Sequence, residues 1–333
     1  MAWLLIISSV IVIWIASLLK ILHGSYSPSK GAFLNDSNNG GGAKKKKALL
    51  VVAHPDDESM FFTPTINYLT SRGHNIHILC LSVGDADGKG NTRKDELYKA
   101  SATLKVPHQQ VKILDHPDLQ DGFGNMWNHN LVAKIVEEEV ISHGINLILT
   151  FDNYGVSGHC NHRDVHYGVR KLLNASSQRN IEAWELVSTN IFRKYSGPVD
   201  IWLSNIYSMQ CSNQMLHCLV NEQPRKSFRA MAQHASQWVW FRKLFVAFSS
   251  CTYVNMLRKM NFTASGTTFQ CWPAYCWNPE GVRLAEFILN YNIYWWYLNS
   301  HLYGSVPHAG SGLVFERLLL FATERENIKD VVH

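Results

Sequence analysis

A cluster of polar residues directly follows an apolar stretch of the chain. Residues 48–53 are Ala-Leu-Leu-Val-Val-Ala, and residues 54–58 are His-Pro-Asp-Asp-Glu. An apolar run with β-branched residues predicts a buried parallel strand, and a proline ends a strand because it cannot donate to the ladder. The polar cluster is therefore expected at the carboxyl end of a strand, where open α/β sheets place their active sites.

The residue types in this cluster are those of a metal-dependent hydrolase. His54 offers an imidazole nitrogen to a metal ion, and one of the two carboxylates, Asp56 or Asp57, can complete the ligands. The other carboxylate is then left to accept a proton from a metal-bound water. The alternative is that the acidic residues only cap the next helix, because aspartate is a common N-cap residue.

Three histidines form a second polar cluster, again after an apolar segment, residues 147–151. His159, His162 and His166 fall within eight residues. The i, i+4 spacing of the last two is that of a zincin helix, but a zincin requires glutamate directly after the first histidine, and arginine stands there. A zincin site is therefore disfavoured.

A different arrangement combines the two clusters. His162, His54 and one aspartate would supply three ligands and leave coordination positions open for water, which is the usual plan of a catalytic metal site. Cys160 is an alternative as a thiolate nucleophile. No motif for oxyanion stabilisation surrounds it, and small buried cysteines are usually inert.

Strands and helices alternate from residue 46 to about residue 192. The predicted strands are 48–53, 76–83, 111–114, 146–151 and 184–190, and the predicted helices are 58–72, 92–104, 127–142 and 163–173. This alternation predicts an α/β, Rossmann-like fold with a mostly parallel sheet and helices on both faces. No Gly-x-Gly-x-x-Gly follows the first strand, and loop 84–90 lacks the P-loop spacing, so a nucleotide cofactor is not expected.

The composition excludes some other classes of protein. The 333 residues are 46% apolar and 17% charged, with a net charge of +5. The chain has no basic patch interleaved with aromatic residues, so a nucleic-acid partner is not expected. Its seven cysteines include no Cys-x-x-Cys pair and predict no disulfide framework, which suits a reducing compartment.

The first residues of the chain are uncharged and apolar. Residues 2–19 carry no charge, and about 18 helical residues span roughly 27 Å, close to the thickness of a thin bilayer core. Positive charge, including the lysine run 44–47, lies only after this segment, which places that side in the cytoplasm by the positive-inside rule. We therefore predict one N-terminal transmembrane helix over residues 1–21. Cleavage after Gly24 or Ser25 is the alternative.

Two motifs carry a resemblance to a known family. Residues 53–58 (Ala-His-Pro-Asp-Asp-Glu) and 158–162 (Gly-His-Cys-Asn-His), with the spacing between them, resemble the motifs of the LmbE-like de-N-acetylases. Loop 84–90 with Arg93 is similar to the same enzymes. Within the family, the chain most resembles the members that deacetylate N-acetylglucosaminyl-phosphatidylinositol, the second step of GPI-anchor biosynthesis. The resemblance covers residues 48–260.

The resemblance implies a role for five residues of the two motifs. His54, Asp57 and His162 would bind Zn2+ or another divalent first-row metal. Asp56 would act as the general base. His159 would stabilise the oxyanion of the tetrahedral intermediate, which a charged imidazolium would do best.

Two further residues complete the comparison with the family. Arg93 is expected to bind the phosphate of the substrate. Ser157 stands where some bacterial relatives have a tyrosine that assists the reaction, so His159 and the metal would carry more of the oxyanion stabilisation.

The resemblance also implies a location and a division of the chain. The catalytic domain would face the cytoplasm at the endoplasmic reticulum membrane and act on a membrane glycolipid. We expect a transmembrane anchor, a flexible basic linker, the de-N-acetylase domain and a C-terminal extension over residues 1–21, 22–47, 48–260 and 261–333. Residues 237–250 are predicted to be a buried helix, with an interfacial segment as the alternative.

Two other functions stay open at this point. One is de-N-acetylation of a soluble GlcNAc conjugate by the same fold. The other is a non-catalytic membrane scaffold, against which the complete set of five motif residues argues.

Overall fold

A mixed seven-stranded sheet lies at the centre of the computed structural model, which describes residues 2–23, 34, 45–122, 125–175, 181–210 and 216–260. Its strands are β1 (Lys47–Val52), β2 (Asn75–Cys80), β3 (Val111–Ile113), β4 (Leu147–Phe151), β5 (Glu182–Leu186), β6 (Leu216–Val220) and β7 (Val254–Lys259). Their order across the sheet is β3-β2-β1-β4-β5-β7-β6. Most of the predicted linker and the whole predicted C-terminal extension lie outside the described residues.

The α-helices of the described residues range from one turn to about six turns. They are α1 (Ala2–His23), α2 (Asp57–Met60), α3 (Thr63–Ser71), α4 (Gly90–Thr103), α5 (His129–His143), α6 (Gly155–Gly158), α7 (Cys160–Ala175), α8 (Ile191–Lys194), α9 (Asp200–Gln210), α10 (Pro224–Gln233) and α11 (Trp240–Phe248). Short 3-10 turns connect several of them.

The predicted α/β fold with a mostly parallel sheet is confirmed. Strands β1 to β5 pair in parallel, and each overlaps a strand predicted from the sequence. The sequence did not predict β6 and β7. Strand β7 pairs antiparallel to β5, and β6 pairs antiparallel to β7, so the sheet has a mixed edge beyond the alternating part of the chain.

Helices cover both faces of the sheet, as predicted. Leu50 and Val52 of β1 belong to one apolar core, and Leu49 and Val51 belong to a second core with residues of α5 and α7. Successive side chains of a strand point to opposite faces, so one strand supplies both cores. Each fully buried valine or leucine contributes about 1.5–3 kcal/mol, which is why β1 is apolar at every position between its ends.

Helix α1 covers the segment predicted to be a transmembrane anchor. Among the residues that the structure describes, no helix has both the length and the apolar character needed to cross a membrane. The predicted transmembrane helix over residues 1–21 is therefore unsupported by the structure.

The site residues lie where the order of the sheet reverses. Strands β2 and β3 lie on one side of β1, and β4 and β5 lie on the other. Open α/β sheets bind ligands outside the carboxyl ends of the two strands at such a reversal. The chain segments that leave β1 and β4 there carry the two predicted clusters.

Candidate metal and active site

The loop after β1 folds around the carboxylate of Asp57. Asp57 Oδ2 accepts hydrogen bonds from the backbone N–H groups of Ala53 and His54, at 3.0 and 2.8 Å. Asp57 Oδ1 lies 3.2 Å from His162 Nε2. Burial alone would raise the pKa of Asp57, but the neighbouring His162 and His54 outweigh burial and lower it. The carboxylate is thus ionised, with one oxygen held by the backbone and the other facing an imidazole.

Asp56 does not cap the helix that follows it. Its side chain makes no capping hydrogen bond, and its φ of 115° lies in a region that non-glycine residues rarely adopt. The buried carboxylate of Glu58 holds this conformation by accepting the backbone N–H of Asp56 at 3.1 Å. His234 Nε2, from the end of α10, lies 2.7 Å from the other oxygen of Glu58. The helix-cap interpretation of Asp56 is therefore wrong.

His162 presents a bare nitrogen to the site. Its Nδ1 lies 3.1 Å from the carbonyl oxygen of Gly155, and a carbonyl can only accept, so Nδ1 carries the proton of the neutral ring. Nε2 is buried without a hydrogen-bond partner and faces Asp57. A buried lone pair opposite a carboxylate oxygen is the arrangement that a cation would satisfy.

His54 is oriented by residues that the sequence did not indicate. Its Nε2 lies 3.0 Å from Asp121 Oδ1 and 3.2 Å from Asn161 Oδ1. Both oxygens are acceptors, so Nε2 carries the proton and Nδ1, 3.8 Å from Asp57 Oδ2, has the lone pair. A carboxylate on the outer nitrogen of a histidine ligand fixes its tautomer and orientation. Asp121 is the carboxylate that does this for His54.

Three histidines converge at this point. One nitrogen of each of His54, His159 and His162 lies within 4.8 Å of the others, which is close enough for a shared metal ion. Together with Asp57 Oδ1, the donors are imidazole nitrogens and a carboxylate oxygen, a set that fits a divalent first-row metal. The structure brings together the three predicted ligands and also places His159 beside them.

The environment of His159 does not favour the charged ring expected from the sequence. Burial, and then the neighbouring His54 and His162, lower the pKa of His159 to about 2. The backbone N–H of Asn161 donates to His159 Nδ1 at 3.3 Å, so the proton of the neutral ring is on Nε2. A neutral His159 therefore retains one N–H donor.

His166 lies apart from the other histidines. Its Nδ1 is 3.1 Å from the carbonyl oxygen of Phe151 and 3.2 Å from Glu185 Oε2. These contacts tie α7 to β4 and β5. The zincin pairing of His162 with His166, disfavoured by the sequence, is absent from the described residues.

Arg93 is buried and holds two loops of the site together. Its guanidinium donates to the carbonyl oxygens of Gly84 and Pro55, both at 2.8 Å. It also lies 3.6 Å from Asp56 Oδ2 and 3.5 Å from Asp121 Oδ2. A Cβ on Gly84 would lie 2.5 Å from this guanidinium, so only glycine permits the contact. Arg93 is thus part of the site, with its guanidinium already bound to the protein.

A second arginine, Arg242 of α11, contacts the same carboxylate. Its Nη1 donates directly to Asp56 Oδ2, and both side chains are almost fully buried. Sequence reasoning missed this residue. The sequence did contain a signal for it. Arg242 lies three and four residues before Phe245 and Val246, which places it on the buried face of the helix. A charge on such a face requires a partner.

Lys194 occupies the neighbourhood of Ser157, the position of the missing tyrosine. Its Nζ donates to Ser157 Oγ at 2.5 Å and to the carbonyl oxygen of Val156 at 3.1 Å. Burial lowers the pKa of Lys194 to about 8. Val156 has a φ of 64°, so the buried lysine stabilises a strained turn just before His159.

Two parts of the chain are similar to known proteins. Residues 49–173 match the family described as GlcNAc-PI de-N-acetylase. Residues 286–333, outside the described residues, match the family described as tRNA synthetases class II (D, K and N). In that second part, the chloroplastic/mitochondrial asparagine–tRNA ligase of Arabidopsis thaliana is 60% identical over 50 residues, which is 15% of this chain and 9% of the ligase.

Curated relatives of the first part extend over most of their own length. The probable N-acetylglucosaminyl-phosphatidylinositol de-N-acetylase of Schizosaccharomyces pombe is 36% identical over 208 residues, 62% of this chain and 83% of the relative. The Bos taurus enzyme of that name is 36% identical over 204 residues, 61% of this chain and 79% of the relative.

A solved structure has the same fold. The N,N'-diacetylchitobiose deacetylase of Pyrococcus horikoshii matches with a TM-score of 0.50 and 13% identity, covering 76% of this chain and 96% of that one. With the two motifs gathered at one sheet edge and relatives at this identity, the chain belongs to the GlcNAc-PI de-N-acetylase family.

Proposed function

We infer that the protein hydrolyses the N-acetyl group of N-acetylglucosaminyl-phosphatidylinositol, the deacetylation step of GPI-anchor biosynthesis. The products are acetate and glucosaminyl-phosphatidylinositol. The observation that carries this inference is the buried, unpartnered Nε2 of His162 facing Asp57 Oδ1, in a chain of this family. The family supplies the substrate class, and the site supplies the groups for amide hydrolysis.

We propose that Zn2+, or another divalent first-row metal, binds to His54, Asp57 and His162. His54 Nδ1 and His162 Nε2 have the lone pairs, and Asp57 Oδ1 is the carboxylate oxygen that the backbone leaves available. Such a metal lowers the pKa of a bound water and polarises a carbonyl group. A nitrogen of His159 also lies within 4.8 Å of the nitrogens of His54 and His162, which places its ring beside the metal position.

Asp56 is the proposed general base. Its carboxylate takes a proton from the attacking water and returns it to the leaving amine, which cannot depart as an anion. Arg242 and Arg93 both lie against Asp56 Oδ2 and hold this group in one orientation. Asp56 contacts these two arginines whereas Asp57 contacts His54 and His162, so the two adjacent carboxylates can have different roles.

His159 is the proposed oxyanion donor. The Nε2–H of its neutral ring donates to the oxygen that becomes negative as water attacks the acetyl carbon. A hydrogen-bond donor of this kind is worth about 3 kcal/mol of transition-state stabilisation. A neutral ring donates this hydrogen bond without placing a second positive charge beside the metal, which is consistent with the lowered pKa of His159.

Arg93 is proposed to act near the phosphate of the substrate. Its guanidinium already donates to Gly84 and Pro55, so a phosphate would be a further acceptor beside those carbonyl groups. The positioning of Asp56 is its more direct contribution.

We further propose that the protein works at the endoplasmic reticulum membrane with its catalytic domain in the cytoplasm. The support is the uncharged segment 2–19, the lysine run that follows it and the lipid portion of the proposed substrate. A transmembrane anchor over residues 1–21 is the proposed attachment. The tail that matches 9% of a tRNA ligase supports no ligase activity.

The test is acetate release by the purified full chain in detergent. We expect release from N-acetylglucosaminyl-phosphatidylinositol, loss of release with a chelator, and recovery when Zn2+ is added. Turnover of GlcNAc-inositol but not of the lipid would favour the soluble-substrate alternative. No release from either substrate by a metal-loaded protein would favour the non-catalytic scaffold and refute the proposal.

A further inference from the structure

Helix α9 has an exposed apolar face that the proposed reaction does not use. The side chains that form it have i, i+1, i+4 and i+7 spacing and all point to one side of the helix: Trp202, Leu203, Ile206 and Met209. Met209 is 82% exposed, whereas Ile201 on the opposite side is fully buried. Soluble monomeric proteins rarely expose apolar groups in this density, so the face requires an explanation.

Neighbouring elements extend this face. Phe192 of α8 is 85% exposed, and Trp240 and Phe248 at the two ends of α11 are nearly half exposed. The ring of Phe248 lies 6.2 Å from that of Trp14 in α1. Trp202 of α9 donates a hydrogen bond from Nε1 to Ser17 Oγ, which also belongs to α1, at 2.9 Å. Helix α1 therefore joins α9 and α11. We call the exposed apolar side chains of these three helices, together with Phe192, the apolar face.

The exposed side chains of α1 indicate what covers the apolar face. Residues 10–13 are Val-Ile-Val-Ile, and each is at least half exposed. Four consecutive helical residues cover roughly 300° of the circumference, at about 100° per residue. One stripe of α1, which includes the buried Ser17 and Ile21, already packs on the protein. A further protein partner would cover one more stripe, whereas lipid can cover all of the remaining circumference. The occupant that fits α1, and with it the rest of the apolar face, is a bilayer.

A basic groove lies at the end of α1. It has a volume of about 570 Å3, and its lining includes Leu22 of α1. One acidic residue, Glu222, lies there among four basic ones, Lys105, Arg225, Lys226 and Arg229. Burial, and then Lys105, lower the pKa of Lys226, so these two lysines lie close enough to repel each other. Such a cluster beside the end of an apolar helix is complementary to anionic lipid head groups.

We propose that the apolar face enters the acyl-chain boundary of an anionic bilayer while the basic groove contacts its head groups. This rests on the proposed membrane location and names the surface that makes the contact. Helix α11 gives the contact a functional meaning, because its exposed ends belong to the apolar face and its buried Arg242 touches Asp56. The docked surface is thus connected to the proposed general base through one helix of nine residues.

The test uses the full chain reconstituted in vesicles of phosphatidylcholine and phosphatidylserine. A small fraction of the phospholipid carries a photoactivatable group at the end of an acyl chain, and mass spectrometry maps the adducts. We expect adducts in α1 and in the peptides that contain residues 200–210 and 240–248. The peptide of α5 around Ile141, a 62% exposed apolar residue on another helix, should stay unlabelled.

Variants separate the apolar face from the groove. Ile206→Glu combined with Met209→Glu should lower labelling of residues 200–210 by about tenfold or more, because a charge is excluded from the acyl region. The matched control is Ile141→Glu, which should change nothing. If the double variant fails to fold, Ile206→Gln with Met209→Gln repeats the test with a smaller perturbation.

The charge-reversed pair Arg225→Glu and Arg229→Glu tests the groove. Labelling in phosphatidylserine vesicles should then fall to the level seen in pure phosphatidylcholine. Equal labelling of the parent protein in vesicles with and without phosphatidylserine would overturn the head-group contact.

Other outcomes would overturn the apolar face as a lipid contact. One is labelling confined to α1, with residues 200–210 and 240–248 unlabelled. Another is chain-to-chain cross-linking through α9, which would assign the face to a second copy. Because lipid labelling requires no turnover, failure of this proposal is distinguishable from failure of the proposed deacetylation, which is measured in detergent.

Discussion

The contact between Arg242 and Asp56 gives a prediction whose magnitude follows from burial. The two side chains are 4% and 6% exposed, so neither charge is well solvated. Removing one partner of a buried ion pair costs about 3–5 kcal/mol, because the other charge stays buried. Arg93 Nη2 lies 3.6 Å from the same Asp56 oxygen and compensates in part. We therefore expect Arg242→Met to lower the free energy of unfolding by about 3 kcal/mol, the low end of that range.

The matched control is the next residue of the same helix. Lys243 is exposed, and its Nζ lies 5.8 Å from the ring centroid of Trp238. Lys243→Met should change the free energy of unfolding by less than about 0.5 kcal/mol, as is usual for surface substitutions. The comparison separates loss of the ion pair from the general effect of placing methionine on α11.

The assay is urea unfolding of the full chain in detergent, followed by tryptophan fluorescence, for a double-mutant cycle. The four proteins are the parent, Arg242→Met, Asp56→Asn and the double variant. We expect a coupling free energy of about 2 kcal/mol between the two positions, within the range for residues in direct contact. Turnover should fall in Arg242→Met as Asp56 loses its orientation. A coupling free energy below about 0.5 kcal/mol would refute the reasoning, since it would mean that the two groups do not interact.

Four further predictions test the site and the topology. Asp57→Ala, His54→Ala and His162→Ala should each lose bound metal, as measured by metal analysis, whereas Asp56→Asn should lose turnover and keep its metal; the opposite result would exchange the roles of the two aspartates. His159→Ala should bind metal like the parent and turn over about a hundredfold more slowly, as for loss of one oxyanion donor; loss of metal would make His159 a ligand. Burial lowers the pKa of Lys194 from 10.5 to about 8 in the folded protein, so the unfolded chain binds the additional proton between these values and stability should rise with pH across this window. The rise should be about 3 kcal/mol, seen as an increase in Tm between pH 8 and pH 10.5 that Lys194→Met abolishes; an equal rise in the variant would assign it to other groups. The sequons at Asn35, Asn174 and Asn261 should stay unmodified in the native protein, and a mobility shift after glycosidase treatment would contradict a cytoplasmic catalytic domain.

Local patterns along the chain were sufficient to predict the alternating part of the fold. The apolar run of residues 48–53 predicted β1, and His54 and Asp57 directly after it predicted a site at its carboxyl end. Both inferences depend on neighbours in sequence, since the strand period and the strand end are local properties. His162 could be joined to His54 because parallel strands place their carboxyl ends at one edge of a sheet.

The mixed edge of the sheet could not be predicted in the same way. Strands β6 and β7 lie beyond the alternating segment. The antiparallel pairing of β7 with β5, and of β6 with β7, depends on which sheet edge was left open. Helix α11 was predicted as a buried helix or an interfacial one, and it has properties of both: Phe245 and Val246 are buried, and Phe248 is exposed. Which side of a helix faces the core is settled by what packs against it.

The residues that orient the site come from parts of the chain far from the two motifs. Arg242 meets Asp56 across 186 positions, and His234 meets Glu58 across 176. Asp121 reaches His54 from the loop after β3. The residue types in the two motifs were sufficient to predict the chemistry, because the ability to bind a metal or to accept a proton is a property of a single side chain. The partners that fix a tautomer or hold a carboxylate are chosen by packing, because a buried charge or imidazole is stabilised by whichever group the fold brings within hydrogen-bond distance, and no periodicity along the chain records that distance.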